Sequence, residues 1–187
     1  MSSPEVQNRP LSRSVPTRRM MLAATLLATA FAGGCLQPLY SENTTSTVGG
    51  SVRSALKSVE IPQIQGLTGH YLRNELAFEL DGGGEPDVQK RLRFETKLSE
   101  SIEVVTVDYN TGRADSAVLI ATATWTVKRI GGAGETVSSG TNLVRAPYER
   151  SSQRFATVRA ARDAQIRAAK SLAQLIKGQL AADLVSG

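Results

Sequence analysis

Between Arg91 and Ala146 the chain alternates apolar and polar residues through three consecutive runs, and this constrains the fold most. Successive side chains of a strand point to opposite faces, so such a run has one buried side and one wet side. In the first run, Arg91 to Asp108, Leu92, Phe94 and Leu98 fall on one side and Arg91, Arg93, Glu95 and Lys97 on the other. Ile102 and Val104 keep that parity, whereas Val105 and Val107 break it, which predicts a bulge or kink near Ser99–Val105. The second run, Ala114 to Arg129, places Leu119, Ala121, Ala123, Trp125 and Val127 inside and Thr122, Thr124, Thr126 and Lys128 outside. The third, Thr136 to Ala146, is less apolar and is expected to stop at Pro147. Turn residues Tyr109–Gly112 and the glycine-rich 131–134 loop join the runs. Short connections between sequential strands predict an antiparallel meander.

Helical patterns flank the meander. Leu72, Leu76 and Leu80 recur every four residues in a stretch from Leu67 to Leu80, with Thr68 placed to cap its start and Asp81–Pro86 to end it. Upstream, Val59 and Ile61 alternate with Ser58 and Glu60, a short strand ended by Pro62. The stretch Ser151 to Leu184 is the longest helical signal. Val158, Ile166, Ala169, Leu172, Ala173, Ile176, Leu180 and Leu184 form one side, and Arg159, Arg162, Arg167, Lys170 and Lys177 mostly the other. Its start is Ser151 or Ser152, or else Ala156–Thr157, and Gly178 is a weak point within it. The expected class is α+β: an antiparallel or mixed sheet of about four strands, order β-α-β-β-β-α, with two helices packed on one face.

The N-terminal region is of another kind. Met20–Ala32 is a 13-residue run without charge, preceded by Arg9, Arg13, Arg18 and Arg19 and followed by Gly33, Gly34 and the chain's only cysteine, Cys35. Basic, apolar and small-residue segments in that order read as an export signal, too short to span a bilayer. A cysteine directly after the small residues resembles the bacterial lipobox, in which the thiol is acylated and becomes the new N-terminus. The alternatives are a retained anchor or buried helix, and a soluble secretory signal with an incidental cysteine. Arg18–Arg19 before the apolar run leaves twin-arginine and general export both open. The expected organisation is a signal peptide at 1–34, a flexible tether at 35–51 rich in Ser, Thr, Asn and Gly, and one domain at 52–187.

Removing the leader's four arginines and one glutamate lowers the formal charge from +5 to +2, so no nucleic-acid footprint is expected. A single cysteine allows no intramolecular disulfide, so the fold must rest on its core. One histidine, His70, and one cysteine cannot make a transition-metal site of ordinary spacing. No acid, base and nucleophile converge in the pattern; the expectation is no enzyme, no metal and no cofactor.

Several features coincide: Gly33-Gly34-Cys35, then Leu36-Gln37-Pro38-Leu39-Tyr40, Ile61-Pro62, the helix bearing Tyr71-Leu72-Arg73-Asn74-Glu75-Leu76, the meander, and the alanine-rich helix with Arg154-Phe155-Ala156 and Ala160-Ala161-Arg162-Asp163-Ala164. From Met20 onward the chain resembles the LPS-assembly lipoprotein LptE family in its alphaproteobacterial branch. The residue after the cysteine, Leu36, departs from the glycine usual there. The resemblance implies a non-catalytic α+β domain, lipid-anchored on the periplasmic side of the outer membrane. It also implies that the domain plugs and helps assemble the LptD β-barrel and binds lipopolysaccharide. The alternative is an accessory subunit of another envelope complex. No motif of the family assigns a ligand contact to a particular residue. Phosphates attract cations, so Arg91, Arg93, Lys97, Lys128, Arg129 and Arg145 on the meander are the candidate lipopolysaccharide contacts. Each taken singly is more often a solvated strand position.

Overall fold

The computed structural model of the protein describes residues 44–85, 87–107, 109–110, 112, 114–131 and 134–186. The leader, Cys35 and residues 36–43 lie outside the described residues. The elements run α1 (Val52–Lys57), β1 (Val59–Glu60), α2 (Leu67–Asp81), β2 (Leu92–Val107), β3 (Ala114–Arg129), β4 (Thr136–Glu149) and α3 (Arg154–Ser186). The class is α+β, with one four-stranded sheet in the order β1-β2-β3-β4. β1 pairs parallel to β2 (Val59 opposite Leu92), and β2–β3–β4 form the antiparallel meander, so the sheet is mixed.

Burial follows the alternation. Ala117, Leu119, Ala121, Ala123, Trp125 and Val127 of β3 are buried, as are Leu92 and Phe94 of β2 and Ala146 of β4. They form one core with Leu72, Leu76 and Leu80 of α2 and with Ala164, Ala168, Ala169, Leu172, Ala173, Ile176, Leu180, Ala181 and Leu184 of α3. Trp125 stacks on Phe94 with ring centroids 6.1 Å apart. Its indole Nε1–H donates to Asn142 Oδ1 at 2.7 Å. The other face of the sheet carries no helix among the described elements.

The structure corrects several expectations. A third helix, α1, precedes β1. Ser51 caps it, accepting from the Ser54 amide, and Val52, Ala55 and Leu56 bury its inner side. The i, i+3, i+4 spacing was present, but six residues are too short to stand out from a loop. Residues 44–51 also carry contacts of the domain: the Thr47 amide donates to Leu184 O, and Val52 N donates to Thr44 O.

α2 begins at Leu67 with Gly66 as N-cap, so Thr68 does not cap it. Thr68 lies inside the first turn, fully buried, and its hydroxyl has no hydrogen-bond partner among the described residues. Gly69 follows, where a Cβ would come within 2.9 Å of the Ile64 carbonyl oxygen; glycine lets the incoming loop lie against the helix. Gly82 closes α2 in the left-handed conformation (φ 65°), as the glycine run predicted.

The pairing of β2 with β3 is regular from Leu92 to Val104, and the irregularity falls between Val104 and Val107, at the far end of the range expected for it. β4 continues through Pro147 to Glu149. Pro147 lies opposite Val118 on the edge strand, and its carbonyl accepts from Arg167 of α3 at 2.8 Å. Its backbone therefore points away from β3, where a missing N–H leaves no ladder bond unmade.

On α3 the face turned to the core is set by Ala164 and Ala168. Val158 and Ile166, expected in the core, are 58% and 39% exposed. Alanine lets the helix axis approach the sheet, which rotates the bulkier residues outward. Gly178 has open space where a Cβ would stand and no positive φ. Gly178→Ala is expected to raise stability by up to about 1 kcal/mol, read as a higher urea midpoint at constant m-value.

The α2–α3 contact carries one ion pair with real shielding. Lys177 Nζ lies 2.8 Å from Glu79 Oε2, with side chains 24% and 16% exposed. The hydrogen bond from Lys177 holds the Glu79 carboxyl below its ordinary 4.5, against the opposing effect of burial. A carboxyl whose folded pKa is depressed stabilises fully above its unfolded value and loses that contribution as pH falls through the folded one. Glu79→Gln is therefore expected to cost about 1–2 kcal/mol near neutral pH. Below the ordinary 4.5 the gap to the parent should close progressively, as followed by urea titrations at stepped pH.

Candidate functional site

The uncovered face of the sheet gathers four of the six candidate cations. Arg93 and Lys97 project there from odd positions of β2, Lys128 from β3 and Arg145 from β4, as strand parity demands. Thr122, Thr124 and Thr126 of β3 share the face. The other two candidates stand apart. Arg91 precedes β2 and its Nη1–H donates to Gly49 O at 3.3 Å. Arg129 has the opposite parity at the end of β3, with its Nε 3.6 Å from Glu135 across the 130–135 loop.

Three of the four face cations are paired with carboxylates. Lys128 Nζ is 2.6 Å from Glu95 Oε2, Arg145 reaches across β3 to Glu103, and Arg93 Nε is 3.9 Å from Glu60 Oε2. The hydrogen bond from Lys128 lowers the Glu95 pKa. These pairs are solvent-exposed and each contributes little to stability. Their effect is on the field: the face presents alternating charge and hydroxyls rather than a continuous cationic patch. Lys97 is the one face cation of the four with no carboxylate within 4 Å among the described residues.

Two features escaped the sequence pattern because their residues are far apart in the chain. Arg145 lines a groove of about 230 Å³ with Ser171, Arg167 and Lys170 of α3, the last two of which the helical period had placed only on a polar side. At the end of the sheet where β2 turns into β3, an apolar recess of about 300 Å³ lies between Ile102, Leu119, Tyr148 and Ala161, rimmed by Glu100, Ser101 and Gln165. Ile102 is 60% exposed although its parity points it to the core side. Helix α3 covers that part of the sheet with Ala161 and Gln165, too small and too polar to fill it.

Among the described residues no set of groups for bond-making chemistry converges. His70 is exposed on α2, with a ring nitrogen 3.2 Å from Asn74 Nδ2. Among the described residues no cluster of three or more His, Cys, Asp or Glu could hold a metal ion. No described helix is long and apolar enough to cross a membrane. The arrangement can bind: hydroxyls, paired charges and an apolar recess on a rigid sheet.

No protein-family model matches the chain, and no curated protein matches it. Solved structures share its fold. The crystal structure of a "putative lipoprotein from Caulobacter crescentus CB15" superposes with a TM-score of 0.59 at 23% identity, over 73% of this chain and 97% of that one. A minor lipoprotein from Acinetobacter baumannii gives a TM-score of 0.50 at 15% identity, over 67% of this chain and 89% of that one. The rare lipoprotein B from Shewanella oneidensis gives 0.43 at 16% identity, over 64% and 92%. At such identities the first two likenesses establish the fold alone.

Proposed function

We propose that this protein is an envelope lipoprotein of the LptE type, acylated at Cys35 and held on the periplasmic side of the outer membrane. In that role it plugs and helps assemble an LptD-type β-barrel and binds lipopolysaccharide, without catalysis. The observation that carries the reading is a conjunction. A leader ending Gly33-Gly34-Cys35 precedes a domain that shares its fold with a protein described as a minor lipoprotein and with another described as a putative one. The helix-free sheet face adds support. A barrel lumen is polar, and hydroxyls with alternating charges suit contact with such a wall.

The acyl anchor follows from the chemistry of the leader. Each buried methylene adds roughly 0.8 kcal/mol of membrane affinity, and stable anchoring takes more than one chain. Mass spectrometry of the mature protein tests this directly: a chain beginning at a lipid-modified Cys35 is expected, and a free thiol or an intact leader overturns it. Depletion in cells is expected to lower surface lipopolysaccharide and leave the barrel misassembled. Normal surface lipopolysaccharide after depletion, or co-purification with an inner-membrane complex instead of a large barrel, rejects the assignment. Arg91→Glu with Arg93→Glu is expected to weaken lipopolysaccharide binding roughly tenfold or more, because each reversal removes a charged hydrogen bond and adds repulsion. Barrel co-purification should persist. Unchanged lipopolysaccharide binding moves the contact away from this end of β2.

A further inference from the structure

The two edges of the sheet are treated differently. Along β4, side chains of α3 occupy two of the outward carbonyls: Arg167 donates to Pro147 O and Gln179 to Ser139 O. Along β2, β1 pairs only with Leu92 and Arg93. The segment Pro62–Ile64 then runs beside Arg93–Thr96. From Lys97 to Val104 no strand of the described residues lies on that edge.

The direction of the open groups follows from the register. Pro147 points away from β3, so Val118 opposite it points toward β2, and Glu103 opposite Val118 points back. The Arg91 carbonyl, which accepts from the Ile130 amide, has the same odd parity. Hence Leu98, Glu100, Ile102 and Val104 direct their N–H and C=O groups outward, free to pair with another strand. On the helix side Leu98, Ile102 and Val104 present apolar side chains around Glu100: Ile102 is 60% and Val104 47% exposed.

We propose that this edge pairs with the same edge of a second copy, β2 on β2 and antiparallel, about a two-fold axis at Glu100. Charge selects the register. Centred on Glu100, Lys97 of each copy stands opposite Glu103 of the other, and Leu98 stands opposite Ile102. Centred one residue earlier, Glu95 meets Glu103, a like-charge clash. Centred one residue later, Lys97 meets Val105 and no ion pair forms. Lys97, with no carboxylate within 4 Å among the described residues, gains one in the dimer. The two Glu100 carboxylates meet on the axis, each accepting from its own Gln165, and oppose association, which keeps it weak and reversible.

The pairing uses only the β2 edge and does not depend on the envelope reading. Glu100→Cys in the full chain tests it. Directly opposed outward residues have Cα atoms about 5.5 Å apart, within disulfide reach. Mild oxidation of the detergent-solubilised protein is expected to give a disulfide dimer beyond the background of the parent, which carries Cys35 alone. Lys97→Glu added to Glu100→Cys should lower the yield roughly tenfold, and Glu103→Lys added to both should restore it. Without cysteine, Glu100→Gln should shift sedimentation toward dimer at a several-fold lower concentration, by removing the axial repulsion. Absence of the disulfide, a yield indifferent to Lys97→Glu, or a Glu100→Gln variant no more dimeric than the parent overturns the proposal. All three positions are exposed, and circular dichroism of each variant should match the parent.

Discussion

Trp125→Ala is expected to lower the unfolding free energy by about 3–5 kcal/mol. The indole is 1% exposed at the centre of the meander and stacks on Phe94. Truncation removes the apolar contact, opens a cavity that a β-sheet cannot collapse into, and leaves Asn142 Oδ1 without its donor. The effect is large here because the core has few aromatics and is otherwise aliphatic, much of it alanine, with no disulfide to hold the layers. Trp125→Phe separates the terms. It keeps most of the stacking and loses the hydrogen bond, so its loss should be well under half that of alanine. Urea unfolding followed by circular dichroism measures both. A loss below about 1 kcal/mol for Trp125→Ala would mean that the sheet and α3 are not packed as described.

Ala168→Leu is expected to destabilise by about 1–3 kcal/mol, although leucine is the more hydrophobic residue. Ala168 has no exposed surface and lies on the α3 face that meets the core, in the i, i+4 row of Ala164 and Leu172. Three added carbons must displace either the helix or the sheet beneath it. Val158→Ser is the counter-test. Val158 is 58% exposed, so its substitution should stay within about 0.5 kcal/mol of the parent. If Ala168→Leu were neutral and Val158→Ser costly, α3 would be rotated about its axis relative to the packing described.

That pair of residues shows how far the pattern could be followed. Helical period placed α3 on the right span and put Leu172, Ile176, Leu180 and Leu184 inside. It placed Val158 and Ile166 with them because it weights side chains by hydrophobicity. The sheet instead selects by size, and the alanine row lies inward. The meander was legible for a related reason: alternation over long strands has one consistent solution. It failed where geometry depends on a neighbour. Pro147 would interrupt an internal strand and is harmless at an edge whose free carbonyl Arg167 occupies. Thr68 looked like a cap and is buried within the first turn, because Gly66 with its positive φ takes the N-cap position.

The candidate binding face was half legible. Parity put Arg91, Arg93, Lys97 and Lys128 on the wet side; the register places Arg93, Lys97 and Lys128 on one face, adds Arg145 of β4 to them, and leaves Arg91 ahead of β2. Composition could not show that Glu60, Glu95 and Glu103 would neutralise three of them. Those pairs join residues on different strands, and their distances are set by register rather than by spacing along the chain.

By itself, then, the sequence specified the α+β class, the meander and the absence of an intramolecular disulfide, since each is written in local periodicity or in the count of one residue type. Folding in three dimensions fixed which face of α3 is buried, which cations keep a free charge and which strand edge lies open. Those properties belong to pairs of residues distant in the chain, brought together only when the helices close over one side of the sheet.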